Sequence, residues 1–221
     1  SHDETRIVLT GVLVSCVSST LKMVATDSYR LAVSETELDS PCPEEFEAVI
    51  AGSFLQDIAS LPQSEDPITI ALNDNQIVVT YRDTTFINRR IEGTFPNYKQ
   101  LIAEGHSTRA TLSTHALTDA VRRVSLLSNK VSPVQVRVDA ESGVVTLLTN
   151  SQDIGNAQEN LICEVDGESV DIAFNFTFML DGLNSIDTDA VHLDLFGPMK
   201  PGILRAAEGE NFLYLIMPVR V

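Results

Sequence analysis

The order strand, helix and three strands recurs roughly three times along these 221 residues, and this repeat limits the folds that the chain can adopt. Apolar residues at helical spacing predict helices at residues 54–61, 114–128 and 176–186. Each predicted helix follows a short strand and precedes three strand-like segments. The units share little sequence identity, so the repetition lies in the order of the elements. The pattern predicts an α+β fold.

The strands of the three units are predicted from runs of apolar and β-branched residues at 46–51, 68–72, 77–81, 85–91, 110–112, 134–138, 144–149, 157–165, 170–174, 191–195, 202–206 and 212–217. Three more strands, at 7–14, 21–26 and 30–34, precede the first unit, and the last two form a hairpin. Ser53, Ser113 or Thr114, and Asn175 are the predicted helix N-caps. The glycine- and proline-containing stretch 92–108 is the best boundary candidate, so we expect domains at 1–103 and 104–221.

The composition narrows the functional classes. The net charge is −16, whereas proteins that bind DNA by neutralising phosphates usually look basic. The apolar fraction of 43% supports real hydrophobic cores, and no apolar run reaches the ~18–20 residues that a membrane span needs. Cys16, Cys42 and Cys163 are widely spaced and lack a C-x-x-C pair, so neither a disulfide framework nor a zinc site is expected. A reducing, cytoplasmic setting fits this composition.

Four short motifs in a fixed order carry a resemblance. They are Val-Ala-Thr-Asp-Ser-Tyr-Arg-Leu-Ala-Val at 24–33, Phe-Pro-Asn-Tyr at 95–98, Phe-Asn-Phe-Thr-Phe at 174–178 and Met-Pro-Val-Arg-Val at 217–221. Together they resemble the bacterial DNA sliding clamp, the beta subunit of DNA polymerase III. The resemblance covers nearly the whole chain but only about the latter two-thirds of a full clamp.

The resemblance implies a DNA-clamp fold, in which helices line an inner face and antiparallel sheets lie outside. Residues 1–103 would correspond to the middle domain without its first strand and helix, and residues 104–221 to the C-terminal domain. The N-terminal domain of the family would be missing, so we expect this truncated form to lack stable loading onto DNA.

The implied function is that of a non-catalytic processivity factor. A full clamp forms a homodimeric ring around double-stranded DNA, without sequence preference, and tethers the replicative polymerase, the clamp loader and repair proteins. Topology rather than affinity would hold such a ring on DNA, so the negative net charge of the chain is compatible with this function. The resemblance implies no cofactor, no metal, no nucleotide and no membrane, and a nucleoid-associated cytoplasmic location.

The resemblance also implies a hydrophobic groove that binds partner peptides carrying a glutamine, a leucine and an aromatic residue. Phe178 stands where the family usually has tyrosine, Gln100 replaces an arginine of some members, and Ser28 and Tyr29 stand where glycine and histidine often occur. Carried over position by position, the groove residues are Leu9, Thr26, Ser28, Tyr29, Arg30, Leu31, Pro96, Gln100, Leu101, Asn175, Phe178, Met199, Pro201, Ile216, Met217, Pro218, Val219 and Arg220.

The predicted helix 114–128 has three residues off its apolar stripe, namely Arg122, Arg123 and Leu126. From the residues alone, this surface is a solvated basic face with one stray leucine. The resemblance assigns Arg122, Arg123 and Lys130 to DNA, and Leu126 and Leu127 to the contact with a second subunit.

The alternative hypothesis, from another functional class, is an acidic α+β hydrolase. Asp27 with His115 or His192 would supply an acid–base pair. The sequence has no G-x-S-x-G, no H-E-x-x-H and no phosphate-binding glycine loop. The acidic loop residues, such as Glu44 and Glu45, are better interpreted as solvated than as metal ligands.

Overall fold

The computed structural model describes residues 1, 3–127, 133–151, 155–209 and 211–220, and the chain divides into two compact units. The first unit comprises Ser1–Asp27 and Ser34–Asn97, and the second comprises Ser28–Val33 and Tyr98–Val221. The short segment Ser28–Val33 therefore belongs to the second unit although its chain neighbours belong to the first. The predicted domain limits at 103 and 104 stay a prediction.

The first unit is built from strands and one short helix. A 3₁₀ segment at Glu4–Thr10 leads into the elements β1 (Gly11–Val17), β2 (Thr20–Thr26), β3 (Arg30–Glu37, whose first half is in the second unit), β4 (Phe46–Ala51), α1 (Gly52–Ala59), β5 (Ile68–Leu72), β6 (Gln76–Tyr81) and β7 (Thr84–Ile91). Within this unit the strand order is β2-β1-β4-β7-β6-β5. Its core cluster is formed by Val14, Ala48, Ile50, Phe54, Ile77 and Val79.

Two predictions about the first unit are wrong. The predicted strand at 7–14 begins as a 3₁₀ segment, because Asp3 accepts a hydrogen bond from the Thr5 amide at 3.1 Å and the strand starts only at Gly11. An apolar run of three residues looks like a strand whether or not its backbone turns. The helix α1 begins at Gly52 rather than after Ser53, and Ala51 occupies the N-cap position without a side-chain hydrogen bond. Strand β4 runs directly into this helix, so no capping residue separates them.

The second unit contains both remaining helices and two antiparallel sheets. After a 3₁₀ turn at Lys99–Leu101, its elements are β8 (Thr108–Ser113), α2 (Thr114–Ser125), β9 (Val134–Asp139), β10 (Val144–Ser151), β11 (Gly155–Ile162), β12 (Glu164–Gly167), β13 (Val170–Phe174), α3 (Phe176–Leu183), β14 (Ala190–Leu195), β15 (Gly202–Ala206) and β16 (Asn211–Ile216). One sheet has the order β11-β10-β9-β13. The other runs β12-β8-β14-β15-β16 and continues with the start of β3.

The predicted repeat holds in the second unit, with an exchange that the sequence pattern did not indicate. Helix α3 is preceded by one strand and followed by three, as predicted, whereas α2 is preceded by β8 and followed by four strands before β13. However, the leading strand β8 pairs with β14 of the following repeat, and the leading strand β13 pairs with β9 of the preceding one. The predicted strand 157–165 is wrong as a single element, because β11 and β12 belong to different sheets.

The core of the second unit lies between its helices and its sheets. Helix α2 buries Leu117, Ala120, Val121 and Val124, and α3 buries Met179 and Leu183, in one apolar cluster with strand residues of both sheets. The two helices end three residues earlier than predicted, and Ser128 lies outside the described residues. At each end the chain tightens into i to i−3 hydrogen bonds, as from the Leu126 amide to the Arg123 carbonyl at 3.2 Å. Among the helices described, none combines the length and the apolar character that crossing a membrane requires.

Candidate groove of the second unit

Two segments from opposite ends of the sequence meet in the second unit. The Met217 amide, just after β16, donates a hydrogen bond to the Tyr29 carbonyl at 2.9 Å. Ser28 adopts a positive φ of 79°, a conformation that non-glycine residues rarely adopt, and β3 then continues the sheet beside β16. The segment of the first predicted hairpin is thus fixed against the last strand of the chain.

The side chain of Arg30 lies at the centre of this junction. Its guanidinium carbon is 4.4 Å from the centroid of the Phe178 ring, a cation–π contact. The same guanidinium donates hydrogen bonds to the Asp181 carboxylate and, at 3.1 Å, to the Tyr214 hydroxyl. Three groups from α3 and β16 therefore orient one arginine from β3.

The start of α3 sets the position of Phe178. The Asn175 side-chain oxygen accepts hydrogen bonds from the Thr177 amide at 2.9 Å and the Phe178 amide at 3.4 Å, so Asn175 is the predicted N-cap. Phe178 lies off the fully buried stripe of Met179 and Leu183 and packs on the margin of the core. Its ring is partly buried rather than pointing freely into solvent.

The C-terminal segment presents apolar side chains at the surface. The Val219 amide donates a hydrogen bond to the Ala173 carbonyl at 2.8 Å, which anchors the segment to β13. Met217 remains 38% exposed and Val219 37%, and Tyr29 is 62% exposed. Met199 is also exposed, while Pro201 and Pro218 are partly buried. An exposed cluster of large apolar residues on an otherwise acidic protein is typical of a binding surface.

A cavity of about 520 Å³ lies beside this segment, within the second unit. The predicted groove residues Met199, Val219 and Arg220 line it, together with residues of β9 and β13 that the sequence analysis did not single out: Gln135, Val136, Arg137, Asp171, Ile172 and Ala173. These strand residues carry no distinctive local signal, because alternation in β9 and β13 predicts only which side chains face the core.

The other predicted groove residues differ in burial. Leu31 and Ile216 are buried in the second unit at 1% exposure each, so they support the surface rather than form it. Gln100 and Leu101 lie exposed in the 3₁₀ turn. Within the first unit, Leu9 is buried, Thr26 is partly buried at the end of β2, and Pro96 is exposed.

The outer face of α2 carries the predicted DNA-facing arginines, and both have neighbours. Arg123 donates to the two carboxylate oxygens of Glu159 at 2.6 and 2.7 Å, which holds the pKa of that carboxyl below its ordinary value. Arg122 donates to the Asn184 side-chain oxygen at 3.1 Å. Leu126, at 78% exposure, and the partly buried Leu127 follow the helix. Lys130 lies outside the described residues.

A buried charge cluster on the other sheet has a structural role. Asp194 is fully buried on β14 and accepts two hydrogen bonds from Arg109, at 2.6 and 2.8 Å, and one from Arg205 at 3.1 Å. The neighbouring His192 bonds the Thr111 hydroxyl at 2.9 Å, and burial lowers the pKa of this imidazole. The two arginines compensate the charge of this buried carboxylate, as a structural ion pair requires.

Among the described residues of the second unit, the predicted histidines are not part of a catalytic set. His115 is exposed and its Nδ1 lies 3.6 Å from Asp119. The predicted acid, Asp27, lies in the first unit. In the ranges that the structure describes, no group of three His, Cys, Asp or Glu side chains is arranged to hold a metal ion.

Comparison with known proteins assigns both units to one family. Residues 1–97 match the family model of the DNA polymerase III beta subunit, central domain, and residues 99–220 match that of its C-terminal domain. The chain is 32% identical over 239 residues to the beta sliding clamp of Synechocystis sp. and 32% identical over 222 residues to that of Staphylococcus aureus. These alignments cover 100% of this chain and 60% and 59% of the relatives.

Solved structures give the same result for the fold. The DNA polymerase sliding clamp from Bacillus subtilis superposes with a TM-score of 0.95 at 28% identity, covering 100% of this chain and 59% of that one. The predicted clamp fold is therefore confirmed. The chain belongs to the DNA polymerase III beta subunit family, the bacterial sliding clamps, and it spans about 60% of the length of these relatives. The names of these relatives support the sliding-clamp hypothesis over the hydrolase alternative.

Proposed function

We propose that this chain supplies the partner-binding part of a processivity clamp. In the whole protein, a homodimeric ring would encircle duplex DNA and tether the polymerase, the clamp loader and repair proteins. A tethered polymerase stays at high effective concentration near its primer and rebinds rather than diffusing away. The contact of Arg30 with Phe178, next to the Met217–Tyr29 hydrogen bond, is the observation that carries this proposal.

The chemistry of this surface suits a short peptide with a glutamine, a leucine and an aromatic residue. Exposed Tyr29, Met217 and Val219 offer apolar area for the leucine and the aromatic anchors. The cavity beside Val219 and Met199 has the size of small-ligand pockets, so it accepts one or two side chains of a peptide. Gln135 and Arg220 supply polar groups in its lining.

The DNA part of the proposal rests on topology rather than on charge. At a net charge of −16, strong phosphate binding is unfavourable, and a sliding ring needs only weak contacts. Arg122 and Arg123 would face the duplex from α2. Because Arg123 is paired with Glu159, any phosphate contact must compete with that ion pair. We place this activity in the nucleoid-associated cytoplasm, where duplex DNA is replicated.

Subunit contact is the remaining part of the proposal. Exposed Leu126 and neighbouring Leu127 would contact a second subunit in the full-length dimer. The chain spans about 60% of the length of its relatives, so dimer formation and loading onto DNA are proposed for the whole protein and peptide binding for this span.

Peptide titration tests the groove. A fluorescently labelled peptide containing glutamine, leucine and phenylalanine should raise its anisotropy when the chain is added. Phe178→Asp and Met217→Asp should each weaken binding at least about tenfold, because both place a charge where apolar anchors bind. Circular dichroism of each variant establishes that it is folded.

Ile162→Asp is the matched control, because Ile162 is an apolar residue of the same unit at 92% exposure. This variant should bind the peptide as the unmodified chain does. Unchanged affinity in both groove variants would refute the assignment of the groove.

A further inference from the structure

Two of the three cysteines lie side by side in the first unit. Cys16 is on β1 and 1% exposed, while Cys42 is half-buried in the loop between β3 and β4. The Cys42 amide donates to the Ser18 carbonyl at 2.8 Å, and the Leu38 amide donates to the Ser19 carbonyl at 2.7 Å. These two hydrogen bonds hold the loop against the turn that follows β1. The loop thus brings Cys42 next to the end of β1, two residues beyond Cys16, and after burial the neighbouring Cys42 thiol is the next cause that raises the pKa of Cys16.

We propose that Cys16 and Cys42 form a reversible disulfide when the protein meets a mild thiol oxidant, so that this pair is a redox modification site. The wide spacing of the cysteines along the chain predicted no disulfide, because spacing alone does not reveal a proximity that arises on folding. Neither cysteine is among the residues that we assign to partner binding or DNA binding. Cys163 belongs to the second unit and takes no part.

The unequal environments of the two thiols set the order of the reaction. Burial, the neighbouring Cys42 and the charge of Glu45 raise the pKa of Cys16 to about 11. A thiol protonated at neutral pH is a poor first nucleophile. The half-buried Cys42 therefore reacts first, and Cys16 completes the bond.

With a small disulfide such as oxidised glutathione, the electrons and atoms balance in two exchanges. The Cys42 thiolate attacks one glutathione sulfur, the glutathione disulfide bond breaks, and one glutathione leaves as thiolate. The Cys16 sulfur then attacks Cys42 in this mixed disulfide and releases the second glutathione. The protein loses two electrons and two protons, and the oxidant gains both as two glutathione thiols.

Formation of the bond would tie the β3–β4 loop covalently to β1. The closed covalent loop contains β2 and β3, so it restricts the unfolded chain more than the folded one. The oxidised protein should accordingly melt several degrees above the reduced protein. Dithiothreitol should return the melting temperature to its first value.

The test uses the full chain carrying Cys163→Ser, incubated with oxidised glutathione and then digested without reduction. We expect a peptide containing Cys16 linked to Cys42, an intact mass lower by two hydrogens, and loss of both free thiols. Adding Cys42→Ser should abolish the mass change, and the Cys42→Ser chain should show no rise in melting temperature on oxidation. Its circular dichroism spectrum establishes that the variant is folded.

Three outcomes would overturn the proposal. They are thiols that remain free under these conditions, a mixed disulfide with glutathione that persists on Cys42, and a cross-link found only between two copies of the chain. Each would mean that the two sulfurs do not reach bonding geometry in the folded protein.

Discussion

The two helices of the second unit, α2 and α3, are alike on their inner faces and differ on their outer ones. Both begin at a side-chain cap and bury apolar residues in one core. The outer face of α2 carries arginines that pair with nearby acidic or amide groups, as Arg123 does with Glu159. The outer face of α3 carries Phe178, covered by an arginine from a segment some 150 residues earlier in the chain.

The difference between α2 and α3 indicates that the outer faces of the repeated helices, rather than their inner faces, distinguish the two units of the repeat. Both helices keep an apolar stripe on the inner face, because this stripe packs against the sheets. The outer face of each helix is not constrained by the core. On α3 this face carries Phe178, which Arg30 covers from a distant part of the sequence. On α2 the tertiary partners are Glu159 and Asn184, which pair with its arginines, while Leu126 stays exposed.

The largest effects should come from the inner faces, where the helices are equivalent. Leu117→Ala in α2 and Leu183→Ala in α3 each remove a fully buried side chain and should lower the free energy of unfolding by about 2–5 kcal/mol. Urea denaturation measures both. The exposed control Leu126→Ala should stay within about 0.5 kcal/mol of the unmodified chain. A large loss of unfolding free energy in only one of the two variants would show that the inner faces of α2 and α3 are not equivalent.

The next largest effects should come from the N-caps, and they should differ between the two helices. Asn175→Ala removes two hydrogen bonds, at 2.9 and 3.4 Å, and should cost about 1 kcal/mol of unfolding free energy. Ser113→Ala removes one bond at 3.4 Å and should cost about half as much. Thermal unfolding followed by circular dichroism compares the two variants. The reverse order would show that bond length and number do not decide the strength of these caps.

The contact between Arg30 of β3 and Phe178 of α3 should depend on the planar shape of the guanidinium as well as on its charge. Arg30→Gln loses the contact with the Phe178 ring and the pairing with Asp181, and should cost roughly 0.5–1 kcal/mol of unfolding free energy. Arg30→Lys keeps the charge but not the flat fork, so it should recover only part of this loss. Chemical denaturation of the three proteins distinguishes these results. Full recovery by lysine would mean that charge alone holds the contact.

The smallest effect should be a pH dependence on the outer face of α2. The pKa of Glu159 is lowered by Arg123 from its ordinary value of 4.5, so the ion pair stabilises the fold fully above that pH. This contribution should vanish as the pH falls through the lowered pKa. Glu159→Gln should therefore be slightly less stable than the unmodified chain at neutral pH and equal to it in strong acid. Urea midpoints across this pH range check the sign, and a gap that widens in acid would contradict it.

Local patterns in the sequence predicted the local parts of the fold. The apolar stripe of α2, from Leu117 to Val124, and the cap Asn175 were correct because each depends on residues within a few turns. The apolar run at residues 7–9 was misassigned as strand, since three apolar residues have no period of their own. The break between β11 and β12 was missed because the two pieces join different sheets.

Long-range features could not be obtained in the same way. Nothing within a few residues of Arg30 or Phe178 indicates that the two side chains touch, and only the resemblance to the clamp family suggested it. The exchange of leading strands between the repeats and the proximity of Cys42 to the end of β1 were not predicted at all. The first arises from sheet pairing and the second from loop hydrogen bonds, and sequence alternation fixes neither.

The central claim is that the segment around Arg30, the start of α3 and the end of the chain form one surface for partner peptides. Photo-crosslinking tests it most directly, with a peptide whose aromatic residue is replaced by a benzoyl-phenylalanine. After digestion, mass spectrometry should locate the adducts on the peptides that contain Phe178, Met217 or Tyr29. Adducts confined to α2 or to the first-unit strands, with those three segments unlabelled, would contradict the account.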